Sequence, residues 1–269
     1  DIRFTTTDNS VLPYWIESAT PDSALVWVKV PSIPTTGTQL YLYYGNGTAP
    51  SLSDGDATFL FFDDFPGTAI DTAKWTVNSG QPHSLSGGVL TISGVGDATD
   101  NIASQNLLVG TGYAYRSRSR YNNAIGSSFF GLSAGTTGDG AVFFDTNGWA
   151  AASVKSGNAA RAGNPVTGSA FSLYEIQRVS PTNTKFYRDT TLLLSVTDST
   201  YIPTGNLNVC FRQYASGYSQ SHDWILVRKI IDPEPLHTAW SDAETNPVPP
   251  TAQFSASPTS GQYNLTVRF

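Results

Sequence analysis

Three arginines alternate with serines in the segment from Tyr115 to Tyr121, and this spacing determines which way their charges point. Successive side chains of a β-strand point to opposite faces, so Arg116, Arg118 and Arg120 are expected to share one face of a strand. Like charges this close repel one another unless carboxylates or an anionic ligand neutralise them. Two interpretations follow: a cationic strip that grips acidic sugars or carboxylates, or a solvated outer face with local acidic partners, which is the commoner case.

A second set of candidate binding residues is aromatic and lies in segments rich in turn residues. Trp149 follows Asn147 and Gly148, and Tyr214 precedes Ala215-Ser216-Gly217. The apolar face of an indole or phenol ring can stack on a sugar, while a neighbouring amide such as Asn147 bonds the hydroxyl groups. The alternative for Trp149 is packing in the core or between domains.

Residue sets typical of hydrolases are missing from the sequence. A retaining glycosidase needs two carboxyl groups about 5–5.5 Å apart, and no Glu-x-Asp-x-x-Glu or similar set occurs; Glu175 has no second acid on its strand. His83, His222 and His237 have no metal-ligand spacing. The sequence therefore predicts no catalytic residues and a protein that is not an enzyme.

Composition favours an extracellular β-protein. Only 13% of the 269 residues are charged and the net charge is −6, which argues against non-specific binding to nucleic acid and favours a cation or a neutral ligand. The single cysteine, Cys210, cannot form an intrachain disulfide and is expected to be a buried hydrophobic residue. No signal peptide or membrane span is recognised, so a mature product or a fragment is expected.

The chain reads as β-structure almost throughout. Short apolar runs alternate with clusters of Gly, Asn, Ser and Pro, and no stretch keeps a helical period for three turns. At most a short helical piece is expected within 51–57. The pattern predicts an all-β sandwich or barrel, and residues 233–250 form a Pro-rich linker.

The segments from Phe61 to Gly67 and from His222 to Arg228 resemble the first and last strands of a concanavalin A-like, or laminin-G-like, jelly roll. The resemblance assigns residues 61–232 to that fold. It implies a domain that binds sugars or the surfaces of partner proteins.

Four blocks near the N-terminus, beginning at Asp1, Leu12, Val26 and Tyr43, resemble a family of unknown function found in surface proteins of archaea and bacteria. The resemblance predicts a partial β-sandwich module at 1–60. In that family further strands precede the first block, so either the chain is a fragment or another chain supplies those strands. Otherwise an open sheet edge able to accept another strand is left. Residues 251–269 resemble the start of a polycystic-kidney-disease-type (PKD) repeat, predicting a truncated third module.

The resemblance to jelly rolls also implies a structural calcium ion that ties the early strand to the last one. The carboxylates at these strand ends are Asp63, Asp64 and Asp223, and carboxylate oxygens are the ligands that Ca²⁺ prefers. The alternative is that these side chains only cap turns or face solvent. Asn46 and Asn264 lie in N-glycosylation sequons.

Together these features predict a non-catalytic extracellular protein of a bacterial or archaeal cell surface. Its expected role is adhesion, or the binding of glycans or cell-surface proteins by the jelly roll. One alternative is an envelope protein that assembles with copies of itself into a sheath, fibre or surface layer. A second alternative is a polysaccharide-degrading enzyme or its accessory module.

Overall fold

A computed structural model describes the chain at residues 2–96, 101–122, 128–135, 138–146, 149–163, 169–237, 239–241, 258–259 and 265–268. The description covers the backbone alone at residues 145–146, 240, 258–259 and 265–268. Within these ranges no helix has the length and apolar character needed to cross a membrane. The chain divides into two units, Asp1–Phe59 with Ile231–Phe269, and Leu60–Ile230.

The structure confirms the predicted all-β fold. Its described residues contain one short helix, α1 (Gly55–Thr58), which the Asp54 side chain caps by accepting a hydrogen bond from the N–H of Ala57 at 2.9 Å. The strands, in chain order, are β1 (Ile2–Thr6), β2 (Tyr14–Thr20), β3 (Ser23–Val28), β4 (Leu40–Tyr44), β5 (Phe61–Asp63), β6 (Trp75–Asn78), β7 (His83–Ser86), β8 (Val89–Ser93), β9 (Asn101–Ser104), β10 (Tyr113–Tyr121), β11 (Ser128–Ser133), β12 (Gly140–Thr146), β13 (Trp149–Lys155), β14 (Asn158–Gly163), β15 (Ser172–Ser180), β16 (Asn183–Arg188), β17 (Thr191–Val196), β18 (Asn208–Gln213), β19 (Ser219–Lys229), β20 (Ala239–Trp240), β21 (Pro258–Thr259) and β22 (Leu265–Arg268).

The first unit consists of small antiparallel sheets. Strand β1 pairs with β4, β3 lies between β2 and β22, and β20 pairs with β21. Phe4, Tyr14, Val26 and Leu40 are among the side chains buried in its core. The PKD-type module predicted at 251–269 stays a prediction; within that range, β22 pairs with β3.

The second unit is a sandwich of two antiparallel sheets. The front sheet has the strand order β14-β13-β12-β11-β18-β9-β6. The back sheet has the order β17-β16-β15-β10-β19-β8-β7, and β5 also pairs with β19. Sequence neighbours within a sheet are joined mostly by hairpins, whereas β18 and β19 return late in the chain to the middle of their sheets.

Large aromatic side chains fill the space between the two sheets. Phe130 and Phe143 of the front sheet pack edge-on against Tyr174 of the back sheet, with ring centroids 4.9 Å apart in both cases. Ile176 and Phe211 are fully buried in the same core. Burying each such side chain stabilises the fold by about 1.5–3 kcal/mol, which explains how a chain without a disulfide holds this sandwich together.

Candidate functional site

The front sheet has a second apolar surface, on the face turned away from the core. Because strand side chains alternate, Phe129 and Val142 point outward where their neighbours Phe130 and Phe143 point inward. Phe129, Val142 and Cys210 form a buried cluster separate from the main core. These apolar side chains form a floor on the outer face of the front sheet.

Strand register aligns this floor into rows across the sheet. In the first row, Arg212 of β18 lies opposite Phe129 of β11, which lies opposite Phe144 of β12. The second row crosses five strands and consists of Cys210, Gly131, Val142, Ala152 and Arg161. Each row thus carries an arginine next to small or apolar residues.

Gly131 leaves the middle of the second row without a side chain. Its φ is +138°, and an added Cβ would lie 2.7 Å from Cδ1 of Ile176 and 2.8 Å from the carbonyl oxygen of Ala141. Only glycine fits there, because both the backbone conformation and the contact exclude a β-carbon. The floor is consequently bare backbone at this point.

The floor belongs to a groove that encloses about 230 Å³. Phe129, Val142, Phe144, Val154, Arg161 and Arg212 line it, and the segment around Ser133, Gly135 and Gly138 forms one wall. The hydroxyl of Ser133 donates a hydrogen bond to the carbonyl of Gly135, which holds that wall in place. We call this feature the groove.

Each groove arginine lies over an aromatic ring. The guanidinium carbon of Arg161 is 5.7 Å from the ring centroid of Trp149, and that of Arg212 is 5.3 Å from the ring centroid of Tyr214. Such contacts contribute roughly 0.5–1 kcal/mol at exposed sites and fix the plane of the guanidinium group. The indole of Trp149 remains 39% exposed.

Two of the aromatic residues proposed from the sequence, Trp149 and Tyr214, thus contact arginines of the groove. Asn147, proposed with them, lies outside the described residues. The sequence analysis did not single out Arg161 or Arg212. The signal that was available is the isolated charge of Arg161 among small residues in β14.

The arginine strip lies elsewhere, on the outer face of the back sheet. The predicted alternation is present, since Ser117 and Ser119 are buried between the sheets. Arg118 forms an ion pair with Asp223, and both Arg118 and Arg120 lie over the ring of Phe171, at 4.8 and 4.6 Å. This arrangement corresponds to the alternative of local partners rather than to a free cationic strip.

Arg116 belongs to a buried ion-pair cluster centred on Glu175. Its Nη1 lies 2.8 Å from Oε2 of Glu175, Arg228 lies 2.8 Å from Oε1, and Gln177 donates to Oε1 at 2.7 Å. Burial opposes ionisation of Glu175, but the charges of Arg228 and Arg116 and the Gln177 hydrogen bond outweigh it and lower its pKa. Glu175 is thereby an ionised structural residue.

The carboxylates proposed for calcium do not converge in the described structure. Asp63 is buried and accepts hydrogen bonds from the N–H of Phe65 at 2.8 Å and from Nε1 of Trp75 at 2.6 Å. Asp64 is exposed, and Asp223 pairs with Arg118. No cluster of three or more His, Cys, Asp or Glu side chains occurs among the described residues. These positions do not fit a calcium site, and the ion stays an untested prediction.

Of the two sequons, only one lies in the described part of the chain. Asn46 is exposed, and its Oδ1 accepts a hydrogen bond from the hydroxyl of Thr48 at 2.8 Å. Asn264 lies outside the described residues. The exposed turn around Asn46 is accessible to modification, which stays a prediction.

His222 is a further residue whose place the sequence did not indicate. Its ring is fully buried between the sheets, 4.1 Å from the ring of Phe211 between centroids, and its Nδ1 lies 2.8 Å from the hydroxyl oxygen of Ser119. Burial lowers the pKa of His222 to about 3. It is therefore neutral, and its surroundings are those of a core residue.

The N-terminal residues match a known family model. Residues 1–78 match a domain of unknown function (DUF2341), which confirms the predicted resemblance to a family of that kind. The match covers less than a third of the chain. No curated protein matches the chain in sequence.

Several solved structures are similar to the second unit. An uncharacterized protein from Mycobacterium paratuberculosis is 18% identical over 63% of this chain and 100% of its own, with a TM-score of 0.51. A β-glucanase from Bacillus licheniformis is 16% identical over 63% of this chain and 98% of its own (TM-score 0.49). A pseudo β-1,3-glucanase from Mycobacterium tuberculosis is 16% identical over 64% and 99% (TM-score 0.47).

These similarities correct the predicted function. A non-catalytic adhesion or binding protein was expected because no strand carries a pair of carboxylates, yet the solved structures of similar fold include a β-glucanase as well as the pseudo β-1,3-glucanase. Carboxylates that act together can come from different strands and loops, so a missing one-strand motif does not exclude an enzyme. With identities below 20%, the likeness shows the fold, and the activity of this chain is a matter for proposal.

Proposed function

We propose that this protein acts in the degradation of a polysaccharide, as a hydrolase or as the module that holds the glycan for one. The groove of the front sheet carries the proposal, because it is an open trough with an apolar floor between two arginine–aromatic pairs. The resemblance of the fold to glucanases supports it.

The groove has the chemistry that sugar binding requires. Sugar rings present apolar faces that stack on exposed aromatic side chains, and their hydroxyl groups need donors and acceptors at the rim. The exposed indole of Trp149 offers such a face. Arg161 and Arg212 supply donors on either side of the floor.

Hydrolysis would require two carboxyl groups on either side of the glycosidic bond. Asp139 stands between Gly138 and Gly140 at the wall of the groove; it is half-buried, and its Oδ1 accepts a hydrogen bond from the N–H of Ser156 at 2.7 Å. Asp145 follows the floor residue Phe144 on β12, and its side chain lies outside the described structure. Asp139 and Asp145 stand at opposite ends of β12, about 20 Å apart along the strand, which is too far for one catalytic pair. Asp139 is therefore the first candidate for one acid of such a pair, and the second acid is unassigned.

The test is incubation of the protein with soluble glucans and galactans, with release of reducing ends and retention in an affinity gel measured together. The proposal expects turnover that Asp139→Asn abolishes, or retention without turnover if the chain is the glycan-holding module. If no polysaccharide is cleaved or retained, the proposal fails.

An extracellular place of action accords with this proposal. Only 13% of the residues are charged, well below the usual share of about a quarter, and this is the composition that favoured an extracellular β-protein in the sequence analysis. Fractionation of the producing cells tests the location, and recovery of the protein from the cytoplasm alone would contradict it.

A further inference from the structure

The side chains that line the groove differ in the hydrogen bonds that they can form. Phe129, Val142, Phe144 and Val154 present only carbon atoms. The two arginines of the lining can only donate hydrogen bonds, and no Asp, Glu, Asn, Gln or His occurs among the described lining residues. The groove therefore has an apolar floor and charged side chains that donate without accepting.

Ser133, which supplies the hydroxyl group of the lining, is engaged within its own wall. Its hydroxyl donates a hydrogen bond to the carbonyl of Gly135 and accepts one from the N–H of Gly135 at 3.2 Å. A ligand hydroxyl that points at the floor thus meets no carboxylate or side-chain amide among the described lining residues. Burying a hydroxyl group without a partner weakens binding, so the part of the ligand that contacts the floor is expected to lack one.

We propose that the groove recognises an acetylated sugar unit of its polysaccharide, with the acetyl methyl group on the apolar floor and the carbonyl oxygen accepting a hydrogen bond from Arg161. This inference rests on the proposed function and names the class of its substrate. An acetyl group matches the lining because its methyl group needs no hydrogen bond and its carbonyl oxygen only accepts them. A free hydroxyl group at the same place would need an acceptor for its proton.

Arg161 is available to donate to such a carbonyl oxygen. Its guanidinium carbon lies 5.7 Å from the ring centroid of Trp149, and its side chain forms no ion pair in the described part of the chain. Stacking uses the face of the guanidinium group and leaves the N–H groups at its edge for hydrogen bonds. The indole of Trp149, which is 39% exposed, offers a face for the sugar ring that carries the acetyl group.

The size of the groove fits one substituted sugar unit. It encloses about 230 Å³, which is the volume of about eight water molecules in the liquid. The inference therefore concerns one sugar unit and its substituent, and it makes no statement about the length of the bound chain.

The experiment uses three neutral tetrasaccharides of β-1,4-linked glucose: the parent, a form with 2-acetamido groups and a form with 6-O-acetyl groups. Titration calorimetry of the full chain measures the affinity for each. We expect at least one acetylated form to bind at least about tenfold more tightly than the parent, because a methyl-sized group in an apolar pocket discriminates by that order. The preferred form tells an amide from an ester as the source of the acetyl group.

Two variants locate this preference in the groove. Val154→Thr replaces a methyl group of the lining by a hydroxyl group, and Arg161→Met keeps a long side chain but removes its donors. Each is expected to lower the ratio of the affinity for the preferred acetylated form to the affinity for the parent at least about threefold. Arg188→Met removes an arginine of the back sheet as the control, and it should keep the ratio of the wild type.

The outcomes separate this inference from the proposed function. If the parent binds as tightly as both acetylated forms, or if neither groove variant lowers the ratio, the acetylated substrate is ruled out while polysaccharide binding stands. If none of the three tetrasaccharides binds, the inference fails, and the incubation with glucans and galactans decides the proposed function separately. Should a variant not fold, the ratio measured on the wild-type chain still decides.

Discussion

The indole Nε1 of Trp75 donates a hydrogen bond to Oδ2 of Asp63 over 2.6 Å in the interior of the jelly roll. The other oxygen of Asp63 accepts the N–H of Phe65 and closes the turn after β5. One carboxylate thus satisfies a buried indole and a backbone amide. Burial is the main cause of the raised pKa of Asp63, so its charge has a cost that these two hydrogen bonds offset only in part.

Removing this carboxylate should destabilise the fold. Asp63→Ala leaves the indole N–H of Trp75 and the N–H of Phe65 without an acceptor, which we expect to lower the free energy of unfolding by about 2–4 kcal/mol. Urea unfolding measures the change. Asp64→Ala, at the exposed neighbouring position, is the control and should alter it by less than about 0.5 kcal/mol. Equal effects of the two variants would contradict a structural role for Asp63.

His222 should make the stability depend on pH. Its folded pKa of about 3 lies below that of an unfolded histidine, so the stabilisation is complete above about pH 6.5 and is lost as the pH falls toward 3. Between pH 7.5 and pH 5 the loss amounts to about 2 kcal/mol. The free energy of unfolding is measured at pH 7.5 and pH 5 for the wild type and for His222→Gln, whose amide cannot take up a proton. The decrease in the wild type minus the decrease in the variant is the contribution of His222.

Exposed His83 provides the matched control for this measurement. His83→Gln should keep the pH dependence of the wild type. If His222→Gln loses stability with acid as steeply as the wild type does, other groups cause the effect.

Removing the carboxylate of Glu175, the centre of the buried ion-pair cluster, should lower the stability of the protein. Glu175→Ala leaves Arg116 and Arg228 with side chains only 12% and 5% exposed and without their carboxylate, at an expected cost of about 3–5 kcal/mol. Because the folded pKa is lowered, this stabilisation is present above the unfolded pKa and is lost as the pH falls below it. Thermal unfolding at pH 7 and pH 3 checks both statements.

The ion pair of Arg118 with Asp223 is the partly exposed counterpart of that cluster. Asp223→Ala should change the free energy of unfolding by no more than about 1 kcal/mol. If Asp223→Ala lowers the free energy of unfolding as much as Glu175→Ala does, the difference in burial does not determine how much each ion pair contributes to stability.

Trp149 should matter for binding and not for folding. Its ring is partly exposed and lies under the guanidinium group of Arg161. Trp149→Ala should therefore lower the affinity for a retained polysaccharide about tenfold with little change in melting temperature. Leu192→Ala removes an exposed apolar side chain of the back sheet as the control. An unchanged affinity of the Trp149 variant would take this residue out of the binding site.

Chelation should leave the stability unchanged. Asp63, Asp64 and Asp223 are separately placed, and an ion bound only to the native state would raise the melting temperature. We expect equal melting temperatures with and without a chelator. A decrease of several degrees that added Ca²⁺ reverses would establish a calcium site and reopen the original prediction.

The sequence was sufficient for the class of fold because strand patterns are local. Alternation in the segment around Arg116 correctly placed the arginines on one face, and turn residues marked the ends of the strands. Which residues of other strands lie beside these arginines depends instead on the order of the strands in the sheet. Glu175 meets Arg116 from a strand 59 residues away, a pairing that no local pattern contains.

The groove was missed for the same reason. Arg212, Phe129 and Phe144 form a row only through the register of three strands, two of which are far apart in the chain. The predicted Trp149 and Tyr214 came from loop composition, which indicated exposure but not their arginine partners. Distant register is set by the whole sandwich, and it decides which side chains share a site.

The chain's only thiol, that of Cys210, lies in the apolar floor of the front sheet with 1% of its surface accessible. Burial raises its pKa to about 12, so alkylating reagents should reach and modify it only when the sheet opens there. The rate of alkylation therefore measures how often this region of the sheet opens locally. A bound glycan that stabilises these strands would lower the rate of alkylation. The native cysteine would then report glycan binding without an engineered one.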